Sequence, residues 1–67
     1  MTAITLRQLM GVLQGEIAWM HLFPEGKWEN RVACMSAQEI RDAVLAYGDR
    51  TVRRCMPGYR FVYVWLD

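Results

Sequence analysis

No apolar run in this chain approaches the roughly 20 residues of a membrane span. Its first residues, Met1-Thr2-Ala3-Ile4, lack a basic segment followed by an apolar stretch. Neither a spanning helix nor an export signal is therefore expected. There are only two cysteines, Cys34 and Cys55, too few for a disulfide framework, so reduced thiols and a cytoplasmic location are expected. Net charge is only +1, which removes the global electrostatic argument for nucleic acid. Soft metal ligands are confined to His21, Cys34 and Cys55, and none has the paired spacing of a zinc site. Nothing marks a Cys–His nucleophile pair, and no glycine-rich phosphate loop is present. No catalytic residue, metal or cofactor is expected, and the chain reads as a non-enzyme.

What is present is a globular recipe. Of 67 residues, 54% are apolar, with three Trp, three Tyr, two Phe and five Met; that suits one packed domain over residues 1–67. A domain this short buries only about 60% of its unfolded surface, so a stability of a few kcal/mol is expected. Charge is uneven. Residues 1–30 hold Arg7 and Lys27 against Glu16, Glu25 and Glu29, whereas residues 31–67 hold six arginines against Glu39, Asp42, Asp49 and Asp67.

Two helix starts share one grammar. Thr5 precedes Gln8 by three residues and Ser36 precedes Glu39 by three, both fitting the capping box. Ile4 and Met35 stand where a hydrophobic staple would place an apolar residue. One apolar stripe follows at Leu6, Leu9, Met10 and Leu13, and another at Ile40, Ala43, Val44 and Tyr47. Gly15 and Gly48 follow, where a left-handed residue would close each helix.

Each helix leads toward a hairpin. The first has strands over 16–23 and 28–35 with Pro24-Glu25-Gly26-Lys27 as the turn; an extension of the first helix through the same apolar run is the competing reading. The second has strands over 51–56 and 59–66 with Pro57-Gly58 as the turn, since Pro fixes φ and Gly supplies positive φ. The order α-β-β-α-β-β implies an α+β two-layer domain, an antiparallel sheet with two helices on one face.

Residues 51–66 are the most informative stretch. Tyr59, Phe61, Tyr63 and Trp65 alternate with Arg60, Val62, Val64 and Leu66, so in a strand the four aromatics share one face. With a two-residue Pro57-Gly58 loop, Met56 pairs with Tyr59, Arg54 with Phe61 and Val52 with Tyr63. The aromatic face then gains Met56, Val52 and Arg54, and the other face carries Thr51, Arg53 and Cys55 opposite Val64, Val62 and Arg60. This register is preferred to a three-residue loop, which would exchange one strand's faces, because it keeps Arg53 and Arg60 together.

An aromatic face beside arginines has three uses. It can be core beneath the helices, the expected arrangement for large side chains in a small domain. It can be a base-stacking platform, although the glycine-rich and basic consensus of RNA-recognition strands is absent. It can also be a protein contact surface, since Trp, Tyr, Met and Arg are enriched at binding hot spots. Residues 36–47 and 49–54 also admit a helix-turn-helix reading with 59–66 as a wing. Pro57-Gly58 and the β-favouring Thr51-Val52-Arg53-Arg54-Cys55 string weigh against it.

The leading expectation is a non-enzymatic protein-binding module, with Arg50, Arg53, Arg54, Arg60, Tyr59 and Trp28 as partner-binding residues. In size and lack of catalytic equipment the chain resembles small accessory proteins of phages and mobile elements. That resemblance implies an inhibitor that occludes a host protein's surface. The alternative is a DNA- or RNA-binding protein, winged-helix-like, using the Arg/aromatic hairpin. An edge-strand homodimer is the third reading.

Overall fold

The computed structural model of the protein describes residues 3–13 and 17–67. It is an α+β domain with two helices and four strands: α1 (Leu6–Val12), β1 (Trp19–Phe23), β2 (Val32–Cys34), α2 (Ala37–Tyr47), β3 (Val52–Gly58) and β4 (Phe61–Leu66). The element order is the expected one, and the apolar run after α1 becomes strand rather than more helix, though only from Trp19 and not across the whole expected 16–23. Among the described residues, no helix is long and apolar enough to cross a membrane.

Both helix starts follow their caps. The Thr5 hydroxyl accepts from the Gln8 N–H at 3.2 Å, and the Gln8 side chain accepts from the Thr5 N–H at 2.9 Å. Ser36 Oγ accepts from the Glu39 N–H at 3.2 Å, but Glu39 reaches one residue further back, accepting from the Met35 N–H at 3.2 Å. Orphan donors of the first turn of α1 find partners across the fold: Leu6 N–H donates to the Arg50 carbonyl and Arg7 N–H to the Gly48 carbonyl, each at 3.0 Å. Arg7 also pairs with Asp49.

The expected left-handed stop at Gly48 is not what the backbone does. Gly48 has φ −59° and ψ −29°, right-handed. Its need for glycine is space, because a Cβ there would meet the Val44 carbonyl oxygen and approach the Arg7 guanidinium to 2.7 Å. Gly15, the expected stop of the first helix, lies outside the described residues, as does Glu16 at the start of the first expected strand.

The sheet order is β2-β1-β4-β3. Both hairpins are antiparallel, but the central pair, β1 and β4, is parallel, so the sheet is mixed rather than antiparallel throughout. The cause is α2: β2 and β3 run the same way at opposite edges, and same-direction strands need a helical crossover.

Three details of the expected hairpins are corrected. The second strand is not 28–35 but only Val32–Cys34, because Trp28–Asn30 forms a 3₁₀ turn after the bend at Pro24–Gly26. The C-terminal hairpin turns at Tyr59-Arg60, not at Pro57-Gly58; β3 runs through Pro57 and Gly58, and Arg60 takes a positive φ of 63°. The observed pairs are therefore Met56 with Tyr63 and Arg54 with Trp65. The turn has moved by two residues, which changes each partner by four, an even number, so Met56 and Arg54 keep the aromatic face. A bulge at Arg53 breaks that parity: Val52 pairs with Leu66 and joins the helix-facing core instead of the aromatic face.

The core lies between the helices and one sheet face. Leu6, Met20, Leu22, Cys34, Ile40, Ala43, Val62, Val64 and Leu66 form its buried cluster, with Leu9, Met10, Leu13, Ile17, Val32, Val44, Tyr47 and Val52 packed around it. The strand residues of that cluster are the even-numbered ones of β1, β2 and β4. The expectation that the strand aromatics pack beneath the helices is thus overturned: the aliphatic side of β4 does so.

Candidate functional site: the aromatic face of the sheet

With the aliphatic parity under the helices, the other parity of β1 and β4 points away from them. The parallel register sets Trp19 beside Phe61, His21 beside Tyr63 and Phe23 beside Trp65. Each rung of the central strand pair therefore carries two rings. Trp19 stacks on Phe61 at 4.6 Å with planes 8° apart, and Phe23 stacks on Trp65 at 4.8 Å with planes 12° apart. Those separations match the spacing of neighbouring strands, about 4.8 Å. The stacked rings consequently stand upright on the sheet, flat faces toward each other and edges outward. Tyr63 sits tilted in the middle, 5.3 Å from His21 and 5.7 Å from Phe61.

The rim of this face is exposed and amphipathic. Trp28, on the 3₁₀ turn, is 53% exposed and stacks against His21 at 5.8 Å. Met56, across from Tyr63, is 43% exposed. Two arginines lie on rings, Arg31 4.1 Å from the Trp28 centroid and Arg54 5.2 Å from that of Trp65. At one end, Arg53, Arg54, Trp65, Leu66 and Gly26 line a cavity of about 200 Å³. Among the described residues, no carboxylate stands within ion-pair distance of either guanidinium there.

His21 is the imidazole within the ring array. Its Nδ1 is buried with no hydrogen-bond partner, as is the Nε of Arg31. Burial, and then the Arg31 charge, lower the His21 pKa from its ordinary 6.5, so the neutral imidazole packs there.

The six residues expected to bind a partner fall into different places. Arg54 and Trp28 flank the aromatic face, and Arg53 shares the cavity beside Trp65. Tyr59 is 87% exposed at the hairpin tip, next to Arg60. Arg53 and Arg60 are not together, since one is at the bulge and the other at the turn. Arg50 is half-buried and structural: its Nη2 donates to the Pro24 carbonyl at 2.9 Å and to the Asp67 carbonyl. The helix-turn-helix arrangement is excluded, because Val52–Gly58 is strand.

Sequence reasoning missed Trp19, His21 and Phe23 as members of this face. Their i, i+2 spacing in 16–23 was a signal for it, but the aromatic parities of two hairpins merge only once β1 and β4 are known to be neighbours. The three soft ligands do not converge. His21 is on the aromatic face, Cys34 is buried under the helices, and Cys55 is exposed on β3. No protein-family model, curated protein or solved structure matches this chain.

Proposed function

We propose that the protein is a non-enzymatic protein-binding module whose contact surface is the aromatic face of its sheet, rimmed by Trp28, Arg54, Met56 and Tyr59. The observation that carries this reading is the ring array itself: six aromatic side chains from two central strands, on the side away from both helices. Contiguous apolar surface rimmed by polar groups is characteristic of interaction sites, and Trp, Tyr and Arg supply most interface hot spots. The open cavity at Arg53 and Arg54 favours a partner that places a carboxylate at that end, where guanidinium forks bind best.

Ring orientation supports a protein partner over a nucleic acid. Base stacking needs free ring faces, whereas Trp19 and Phe61, and Phe23 and Trp65, each give one face to the other, and Arg54 lies on Trp65. By this reading the module works by occupying a partner's surface, as an inhibitor or accessory subunit would.

A photo-crosslinking amino acid at position 65, in the cells that make the protein, tests the proposal. One at position 45, on the outer side of α2 where Leu45 is 78% exposed, is the control. Discrete protein adducts from position 65 and not from 45 are expected. Nucleic-acid adducts, or equal adducts from both sites, would overturn the reading.

A further inference from the structure

The sheet has two outer strands, and they are protected very differently. Free strand edges invite pairing, and proteins blunt them with charge, proline and bulges. β3 has all three devices: exposed Arg53 and Arg54, Pro57 and the bulge at Arg53. β2 has none of them, being Val32-Ala33-Cys34. Among the described residues, the backbone groups of β2 find no partner beyond the β1 ladder except the Val32 carbonyl, which takes the Cys34 thiol at 3.9 Å.

Beside this edge runs a groove. Val32, Ala33 and Cys34 form one wall and Ala43, Ala46 and Tyr47 of α2 the other, around a cavity of about 300 Å³. Alanines keep the helix wall low. Glu39 and Asp42 stand on the same wall. Their hydrogen bonds come from neutral donors: Met35 N–H and the Ser36 hydroxyl reach Glu39 Oε1, and Gln38 Nε2 reaches Asp42 Oδ1 at 2.9 Å. No cation pairs with either carboxylate among the described residues. Their field is felt inside the groove: burial first, then Glu39 and Asp42, raise the pKa of the Cys34 thiol.

We infer that the β2–α2 groove is a second binding site, which takes an extended peptide segment of alternating small apolar and basic residues as a fifth strand on the edge of β2. Adding a strand supplies main-chain hydrogen bonds, and alternate side chains give specificity. Successive side chains of an added strand alternate between the two sheet faces, so the small apolar ones project to the face away from α2, beside Ala33. The Lys or Arg side chains share the helix side, where their stems lie along the groove and their heads reach Glu39 and Asp42. β2 offers three residues of edge, about 10 Å, so the new ladder spans about three residues of the peptide. Its acidic wall on α2 lies on the opposite side of the sheet from the ring array, and β2 is separated from Tyr63 and Trp65 by β1.

The probe is an acetylated, amidated peptide, Thr-Val-Arg-Val-Lys-Val, titrated into the full chain and followed by amide NMR. Its partner carries Glu in place of Arg and Lys. The basic peptide is expected to shift the amides of Val32, Ala33, Cys34 and Ala46 while leaving those of Tyr63 and Trp65 in place. The acidic peptide is expected to shift none. E39Q/D42N should weaken binding about three- to tenfold, the range for two partly exposed charge pairs. Ala46→Arg, at an exposed helix position that leaves folding intact, should abolish it by filling the groove. The inference is overturned if the basic peptide produces no shifts at millimolar concentration, or shifts only at the aromatic face. It also falls if both peptides bind equally or if Ala46→Arg binds unchanged. A concentration-dependent dimer that shifts the same β2 amides without peptide would replace the peptide with a second copy of the chain.

Discussion

On β1 and β4 the side chains divide by parity, and the two resulting sheet faces solve different problems. Met20, Leu22, Val62, Val64 and Leu66 lie under the helices and are essentially inaccessible. Trp19, His21, Phe61, Tyr63 and Trp65 face away and stay half-buried, with only Phe23 of that set fully covered. Aliphatic side chains interdigitate with a helix layer, each fully buried one contributing about 1.5–3 kcal/mol. Aromatic rings cover one another without a second layer, since stacked and edge-on pairs add about 0.5–1.5 kcal/mol each. One face therefore holds the domain together, and the other is kept rigid and open.

The sharpest way to break this division is Leu22→Ala. A fully buried leucine beneath the helices should cost about 2–5 kcal/mol, most of the stability of a domain this size. A urea unfolding curve should show a largely unfolded protein in water. Next is Gly58→Ala. The Phe61 ring lies across Gly58, so an added methyl forces the ring aside and opens the Trp19–Phe61 stack. Overpacking of this kind typically costs about 1–3 kcal/mol. A lowered melting temperature together with a weakened near-ultraviolet circular dichroism signal would report it.

Arg60→Gly should act in the opposite direction. Arg60 holds a positive φ of 63°, a conformation that disfavours side chains by about 1 kcal/mol and that glycine adopts freely. Thermal unfolding should shift upward by a few degrees. The smallest effect belongs to His21. Its pKa is lowered in the folded protein by burial and then by Arg31, so below its ordinary value of 6.5 the unfolded chain binds the proton more readily. The stability of the neutral form is complete above pH 6.5 and declines as pH falls from there through the lowered folded value. His21→Phe should flatten that part of the stability–pH curve relative to the parent protein, as read from urea midpoints between pH 7.5 and 5.

Much of the fold was written in local signals. Thr5/Gln8 and Ser36/Glu39 located both helix starts, and the alternation separated aromatic from aliphatic correctly over 61–66, whereas Tyr59 and Arg60, expected to begin that strand, form the turn. Which face the helices would cover was not legible, because Val62, Val64 and Leu66 are as apolar as the rings they alternate with. The turn was misplaced for a physical reason. Pro57-Gly58 is the stronger local signal, yet turning at Tyr59-Arg60 brings Pro57 and Gly58 into the β3–β4 ladder and lets the Phe61 ring cover Gly58. The parallel β1–β4 contact, which assembles the ring array, joins residues some 40 positions apart and leaves no local trace.

Solvent exposure of the two faces, read by NMR with a soluble paramagnetic agent on protein confirmed monomeric by light scattering, tests the division directly. The ring signals of Trp19, Tyr63 and Trp65 should be strongly attenuated, while the methyls of Leu22, Val62 and Val64 remain protected. Equal protection of both sets in the monomer would mean that the aromatic face is already covered, and would contradict its role as a contact surface.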